Sequence, residues 1–280
     1  ALKRFPRAEI TYGDTDSIFV NFNCYEEGKD LKGIELLQRV IECGVTVEKE
    51  IKPLLKAPHH LEYEKTFWPF ILFSKKRYVG NKYEFDLHKF KQTCMGIVLK
   101  RRDNAPIVKL VYGGIIDILM DSGNISDAID YLQACLMKII EGVYPIDLFI
   151  ISKSLKPTSA YANPMSIAHW VLANRMGERD PGNKPKSNDR IPYVYIEVRE
   201  TKSTLQGDRI EHPRYVIDNK LKIDYGFYIT NQIMKPVSQI FDLVSVEAKG
   251  GRTTDELFED TLRIVTNRKK GLQTLDRWFS

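Results

Sequence analysis

Residues 12–17, with the sequence Tyr-Gly-Asp-Thr-Asp-Ser, constrain the fold of this chain more than any other stretch. Apolar, β-prone residues flank them, alternating before the stretch and running on directly after it: Ala8, Ile10, Tyr12, Ile18, Phe19 and Val20. This pattern predicts a strand, a tight turn and a second strand. Glycine and aspartate suit the turn, because Gly accepts unusual backbone angles and Asp side chains hydrogen-bond their own backbone.

The two aspartates of this stretch are candidates for metal binding. Asp14 and Asp16 are two residues apart, so an extended or tightly turned backbone directs both carboxylates to one side. A divalent cation relieves the repulsion between them, and Mg²⁺ prefers one or two carboxylates together with phosphate oxygens. The hairpin therefore suits phosphoryl or nucleotidyl transfer. The motif taken alone is equally a solvated turn whose Asp side chains cap their own backbone.

The strongest concentration of positive charge lies between residues 65 and 102. This stretch has ten Lys or Arg residues against Glu84 and Asp86, whereas the net charge of the whole chain is +5. Aromatic residues are interleaved with the charges on predicted strands, and residues 75–78 read Lys-Lys-Arg-Tyr. A rigid basic sheet suits contact with a phosphate backbone. A solvated face, or a lysine-rich turn that protects strand edges, would give the same pattern.

The cysteines and histidines do not predict a metal site. Cys24, Cys43, Cys94 and Cys135 form no Cys-X-X-Cys pair, and the five histidines lack ligand spacing, so neither zinc nor an iron–sulfur cluster is expected. Reduced, mostly buried cysteines fit a protein that is not secreted. No apolar run is long enough to cross a membrane, and residues 1–6 lack the features of a signal peptide.

Two motifs together resemble those of a known family. Residues 12–17 resemble the Tyr-Gly-Asp-Thr-Asp-Ser signature of family B DNA polymerases, and residues 75–78 resemble its Lys-Lys-Arg-Tyr motif, in the family's order. Further stretches are similar to delta-type enzymes of this family: residues 62–70, 96–108, 151–155, 179–182 and 189–194. The absence of the cysteine clusters that often follow the thumb in delta-type enzymes suggests a large DNA virus or an archaeon as the source. The chain is expected to be cut from a longer protein.

The resemblance implies an α+β fold in two parts and a tail. Residues 1–105 would form the C-terminal part of the polymerase palm, an antiparallel sheet with helices, and residues 106–265 a mostly helical thumb. Residues 266–280 would be the tail. The residue pattern predicts helices at 31–55, 106–121, 125–142, 164–177 and 227–235, and strands at 60–73, 79–86, 147–152 and 191–199. Gly80 and Asn81 are expected at a bend, and Ser126 is expected to cap the helix at 125–142.

The resemblance also assigns roles to individual residues. Asp16 would be a direct Mg²⁺ ligand and Asp14 a supporting one, in a site of two Mg²⁺ ions completed by an Asp upstream of this chain. The DNA-binding residues would be Thr15, Lys75, Lys76, Arg77, Tyr78, Lys100, Arg101 and Arg102. Lys75, Lys76 and Arg77 would meet the minor groove of the primer–template, and Tyr78 would pack under the duplex or bond a phosphate. Lys100, Arg101 and Arg102 would contact phosphates. Deoxynucleoside triphosphates would be the substrates.

The tail resembles the sliding-clamp-binding peptide of replication proteins. Leu275, Trp278 and Phe279 would enter one hydrophobic pocket as a turn of helix, and Leu272 would complete the clamp-binding set. The usual Gln position holds Leu272, with Gln273 one place late, which is a departure from the pattern. The alternative is an amphipathic turn docked on its own thumb.

The expected function is template-directed DNA synthesis in replication, with this chain as a fragment that is inactive alone. The expected location is the nucleus or an intracellular site of viral replication. The alternative is a non-catalytic duplex-DNA-binding module of an inactivated polymerase relative, which intact Asp14 and Asp16 disfavour. A reverse transcriptase also has paired aspartates on a hairpin but should lack the Lys-Lys-Arg-Tyr stretch.

Overall fold

Helices and antiparallel sheets make up the structure, a computed structural model that describes residues 5–24, 31, 33–100, 104–198 and 205–269. The α+β class is therefore confirmed. The chain divides into an N-terminal unit, Ala1–Lys100, and a C-terminal unit, Arg101–Ser280. No helix in the described ranges has the length and apolar character needed to span a membrane.

Among its described residues, the N-terminal unit contains two antiparallel sheets and one long helix. Strands β1 (Glu9–Asp14) and β2 (Ser17–Asn21) form the predicted hairpin. Strands β3 (Thr66–Ser74), β4 (Arg77–Tyr83) and β5 (Lys91–Met95) form the second sheet in that order. Helix α1 (Gly33–Ile51) passes into a short 3₁₀ turn, Lys52–Leu54, where Pro53 cannot donate a backbone hydrogen bond.

Two predictions for this unit were wrong in detail, and one strand was missed. Strand β3 begins at Thr66, and residues 60–65 lie outside any strand. Strand β5 was not predicted, because its sequence Lys-Gln-Thr-Cys-Met lacks an apolar alternation. Gly80 and Asn81 lie inside β4 rather than at a bend. A side chain at Gly80 would press on the rings of Phe67 and Phe70, so Gly provides space for them.

A helical pair forms the core of the C-terminal unit. Helices α2 (Pro106–Asp121) and α3 (Ile125–Ile140) confirm the two predicted helices. Each buries an apolar stripe: Ile107, Val111 and Ile115 on α2, and Leu132, Leu136 and Ile139 on α3. Proline at the first position of α2 suits a helix start, because its missing N–H needs no partner there. A side chain at Gly114 would collide with the ring of Tyr131, so glycine permits the close approach.

The remaining elements of this unit surround a small antiparallel sheet. Strands β6 (Ile151–Ser154), β7 (Arg190–Tyr195) and β8 (Ile210–Glu211) pair in that order. The helices are α4 (Ala168–Arg179), α5 (Pro213–Asp218), α6 (Tyr225–Phe227), α7 (Lys235–Phe241) and α8 (Glu256–Lys269). The predicted strand at 147–152 was partly wrong, because Ile146–Phe149 is a 3₁₀ turn. The helix predicted at 227–235 is confirmed, with a π-helical middle at Tyr228–Met234.

The cap of α3 is Asn124 and not Ser126, which corrects the sequence-based assignment. The Asn124 Oδ1 accepts hydrogen bonds from the backbone N–H groups of Ser126 (2.9 Å) and Asp127 (3.3 Å). Replacing Asn124 with Ala leaves both donors without this partner. We therefore expect Asn124→Ala to lower the free energy of unfolding by about 1 kcal/mol in urea denaturation.

The matched control for this prediction is Ser126→Ala, which we expect to stay within about 0.5 kcal/mol of the unaltered chain. The variant Asn124→Asp keeps the acceptor and should retain the stability. A larger loss for Ser126→Ala than for Asn124→Ala would contradict the assignment of the cap.

Candidate active site

The acidic hairpin closes through a two-residue turn. Asp14 at the end of β1 pairs with Ser17 at the start of β2, leaving Thr15 and Asp16 as the turn. Thr15 has a φ of 40°, in the left-handed region that residues with a side chain avoid. Its hydroxyl donates to Asp14 Oδ1 (3.2 Å), and the Ser17 hydroxyl donates to the Asp14 carbonyl oxygen (3.3 Å). These bonds hold the turn in its strained conformation.

The two carboxylates of the hairpin have different surroundings. The Asp14 side chain is only 20% exposed and its Oδ1 lies 3.4 Å from the Lys76 ammonium nitrogen. Asp16 is exposed at the tip of the turn. Within the described residues, no group of three or more His, Cys, Asp or Glu side chains could hold a metal ion. The hairpin thus offers two carboxylates, a donor set that fits the one or two that Mg²⁺ takes from a protein.

A second two-residue turn, here called the basic turn, joins β3 to β4. Ser74 pairs with Arg77, which leaves Lys75 and Lys76 as the turn. Lys76 has a φ of 61°, so both hairpin turns contain a non-glycine residue in the left-handed region. The backbone N–H of Lys76 donates to the Tyr12 hydroxyl (2.9 Å). The basic turn is thereby fixed directly against the acidic hairpin.

Gly96, directly after β5, packs closely against the basic turn. It has a φ of 63°, and a Cβ at this position would collide with the carbonyl oxygen of Lys76. Only glycine combines this backbone angle with such close approach. Sequence reasoning missed Gly96 and the role of Tyr12. The position of Tyr12 inside the motif was the only available signal, because both contacts join residues that are distant in sequence.

Five aromatic rings, here called the aromatic cluster, join the acidic hairpin to the second sheet. They are Tyr12, Phe19, Phe67, Phe70 and Tyr78. Phe19 stacks on Phe67 and on Phe70, with centroid distances of 5.9 and 5.6 Å. Tyr78 lies edge-on to Phe19 at 5.7 Å and is 9% exposed. Such pairs add to the stability gained from burial alone, so the cluster stabilises the position of the acidic hairpin against the second sheet.

The structure places the other predicted site residues as follows. Lys75 is exposed, Arg77 is half-buried, and Lys100 ends a 3₁₀ turn, Val98–Lys100. Arg101 and Arg102 lie outside the described residues, as do the predicted clamp-binding residues Leu272, Leu275, Trp278 and Phe279. The described geometry therefore brings together Asp14, Thr15, Asp16 and the basic turn.

Near the centre of the basic stretch, each of its two acidic residues is paired with a neighbouring lysine. The Lys82 ammonium donates to the Glu84 carboxylate (2.7 Å), and this bond and charge lower the pKa of Glu84. A hydrogen bond from the His88 backbone N–H lowers the pKa of Asp86, which also lies 3.6 Å from the Lys89 ammonium. Both carboxylates thus remain ionised at neutral pH and partly offset the positive charges of Lys82 and Lys89. The charge of Lys76, in contrast, faces Asp14.

Comparison with known proteins agrees with this combination of motifs. The sequence profile of DNA polymerase family B matches residues 2–244. A DNA polymerase of Pyramimonas orientalis virus is 51% identical over 271 residues, which are 95% of this chain and 22% of that protein. A DNA polymerase of Acanthamoeba polyphaga mimivirus is 46% identical over 276 residues, 97% of this chain and 16% of that protein. The DNA polymerase delta catalytic subunit of Caenorhabditis elegans is 34% identical over 236 residues, 84% of this chain and 20% of that protein.

The chain therefore belongs to family B of the DNA polymerases. Within the family it is delta-like, with viral polymerases among its relatives. It spans between 16% and 22% of the length of these three relatives.

Proposed function

We propose that this chain supplies part of the active site and part of the DNA grip of a replicative DNA polymerase. The reaction is template-directed transfer of a deoxynucleotide to a primer 3′-hydroxyl. The observation that carries the proposal is the direct contact between the acidic hairpin and the basic turn, through Lys76 to Tyr12 and to Asp14. In this arrangement a duplex held by the basic turn would meet the carboxylates at its primer end.

The acidic hairpin contributes the metal-binding half of the proposal. Asp16, exposed at the tip of the turn, would be a direct Mg²⁺ ligand. Asp14, fixed by Thr15 and Lys76, would support it. When bound, Mg²⁺ would activate the 3′-hydroxyl and stabilise the leaving pyrophosphate. The family pattern implies a further Asp from a segment upstream of this chain.

The basic turn contributes the contact with DNA. The minor groove presents similar acceptors for all correct base pairs, so a Lys or Arg there senses pairing geometry without reading sequence. Lys75, Lys76 and Arg77 would make this contact, while Tyr78 in the aromatic cluster supports the turn from below. Lys100, Arg101 and Arg102 would add phosphate contacts.

The remaining assignments follow from the family pattern. Residues 1–105 would be palm and residues 106–265 thumb, and the tail 266–280 would bind a sliding clamp through Leu272, Leu275, Trp278 and Phe279. Viral and delta-type relatives support a role in replication at a nuclear or viral site. Primer–template DNA and deoxynucleoside triphosphates would be the ligands.

Binding of primer–template DNA across a salt series tests the grip. The chain is expected to bind duplex DNA with an affinity that falls steeply as salt increases, because cationic contacts release counterions. Lys76→Ala and Arg77→Ala should each weaken binding and flatten the plot of log affinity against log salt by about one unit of slope. Fluorescence anisotropy with a labelled primer–template measures both quantities.

The control is Lys56→Ala, which removes an equal charge from an exposed position after α1. It should leave the slope within error of the unaltered chain. If Lys76→Ala and Arg77→Ala behave like this control, in the fragment and in the full-length enzyme, the proposed DNA contact of the basic turn is wrong.

A further inference from the structure

Two cysteines of the N-terminal unit lie side by side. Cys24 follows strand β2, three residues after its last residue, and Cys43 lies within helix α1. Their sulfur atoms are 3.7 Å apart, and both are free thiols. This separation approaches that of a disulfide, in which the sulfurs are about 2.05 Å apart.

The packing around the pair keeps the two sulfurs together. Cys43 is 3% exposed in a small core with Ala8, Phe22 and Val47, and Cys24 packs partly buried against that core. The core joins the base of the acidic hairpin to α1. The proximity of the thiols is therefore a property of the fold and not of a surface loop.

Hydrogen bonds also fix the backbone next to Cys24. Asn23 has a φ of 46°, its backbone N–H donates to Asn21 Oδ1 (3.1 Å), and its side-chain nitrogen donates to the Arg7 carbonyl oxygen (2.9 Å). These contacts tie the segment that carries Cys24 to both ends of the hairpin. The position of Cys24 relative to α1 is thus determined before any bond forms.

We propose that Cys24 and Cys43 are a redox modification site, which a peroxide oxidises to a reversible disulfide that fastens the acidic hairpin to α1. The proposal is independent of the proposed DNA grip. Overall, two thiols and one hydrogen peroxide give one disulfide and two water molecules. A dithiol reductant returns both thiols.

The oxidation has two balanced steps. The more accessible Cys24 thiol releases its proton, and the resulting thiolate attacks one peroxide oxygen. The O–O bond breaks, and the departing hydroxide takes up that proton, so the products are the Cys24 sulfenic acid and water. The Cys43 thiolate then attacks the Cys24 sulfur, the S–O bond breaks, and the hydroxyl leaves as water after taking up the proton from Cys43. Overall, the sulfur atoms of Cys24 and Cys43 each lose one electron, and the two peroxide oxygens are reduced.

The second step is expected to be the slower one. Burial, and then the neighbouring Cys24 thiol, raise the pKa of Cys43 to about 12, so little thiolate is present at neutral pH. Because only the thiolate attacks, the rate of disulfide formation should rise about tenfold per pH unit below that pKa.

Peptide mapping of the 280-residue chain after treatment with hydrogen peroxide tests the site. Mass spectrometry under non-reducing conditions should find a peptide pair joining Cys24 to Cys43 with the loss of two hydrogen atoms, and a dithiol should separate it. Disulfide formation should also raise the Tm by about 5 °C or more, because the bond constrains the unfolded chain.

The variant Cys43→Ala should stop the reaction at the Cys24 sulfenic acid, which dimedone captures. Cys24→Ser should give neither dimedone adduct at this position nor the rise in Tm, and Cys94→Ser should behave like the unaltered chain. Because Cys24 lies at the edge of the core, Cys24→Ser keeps the test valid if Cys43→Ala fails to fold. Oxidation that leaves both thiols intact, or that joins Cys94 to another cysteine instead, would overturn the proposal.

Discussion

Replacing Asp16 with Asn in the intact polymerase is expected to slow primer extension by about a thousandfold or more. An amide is a poorer Mg²⁺ ligand than a carboxylate and carries no charge, so the proposed metal ion is lost or misplaced. A thousandfold loss corresponds to about 4 kcal/mol of transition-state stabilisation. Asp16 is exposed at the tip of the hairpin, so the fold should tolerate the change.

Single-turnover extension of a primer by one nucleotide measures this effect without interference from product release. Binding of the primer–template should be retained in Asp16→Asn, because the basic turn is unaltered. Asp121→Asn, at the exposed end of α2, is the matched control and should extend at the normal rate. Extension by Asp16→Asn at a near-normal rate would refute the assignment of Asp16 as a metal ligand.

The local structure of the site could be predicted from the sequence. The hairpin at residues 12–17 is confirmed because alternation and turn residues are local signals. The bounds of α2 were also predicted from the local residue pattern. The Asn124 cap was missed although its signal was present, since Asn and Ser are comparable as caps and the sequence places both near the start of α3.

The assembly of the site could not be predicted without the structure. The hydrogen bond between Tyr12 and Lys76 and the approach of Gly96 to Lys76 join residues that are far apart along the chain. Hydrophobic periodicity predicts which residues share one face of a helix or strand, but it does not predict which faces pack against each other. Strand β5 forms because its backbone pairs with β4, and its polar sequence has no pattern that would predict this pairing.

A buried charge cluster in the C-terminal unit also depends on contacts between residues that are far apart along the chain. Glu211, at the end of β8, is 3% exposed and its Oε2 lies 3.3 Å from Arg175 Nε and 2.9 Å from Arg179 Nη2. The two arginines are one turn apart on α4, and the Arg179 guanidinium also lies 3.6 Å from the centre of the Tyr215 ring. Glu211 therefore links β8 to α4 through two ion pairs.

Glu211→Ala is expected to lower the free energy of unfolding of the C-terminal unit by about 3 kcal/mol, because removal of one partner leaves buried charge uncompensated. The expected loss is at the lower end of the range for buried pairs, since the side chains of Arg175 and Arg179 are 25% and 35% exposed. Urea denaturation followed by the fluorescence of Trp170, which lies on α4, measures the change. Replacing Trp68 and Trp278 with Phe in all variants leaves Trp170 as the single tryptophan of the sequence.

Two further variants separate charge from volume at this position. Glu211→Gln keeps the shape and one acceptor oxygen for the arginines, so its loss of stability should be smaller than that of Glu211→Ala. Glu259→Ala, on the exposed face of α8, removes an equal charge and should change stability by no more than about 0.5 kcal/mol. A Glu211→Ala variant as stable as Glu259→Ala would show that the two ion pairs contribute nothing net to the unit. The packing of β8 against α4 would then depend on apolar contacts alone.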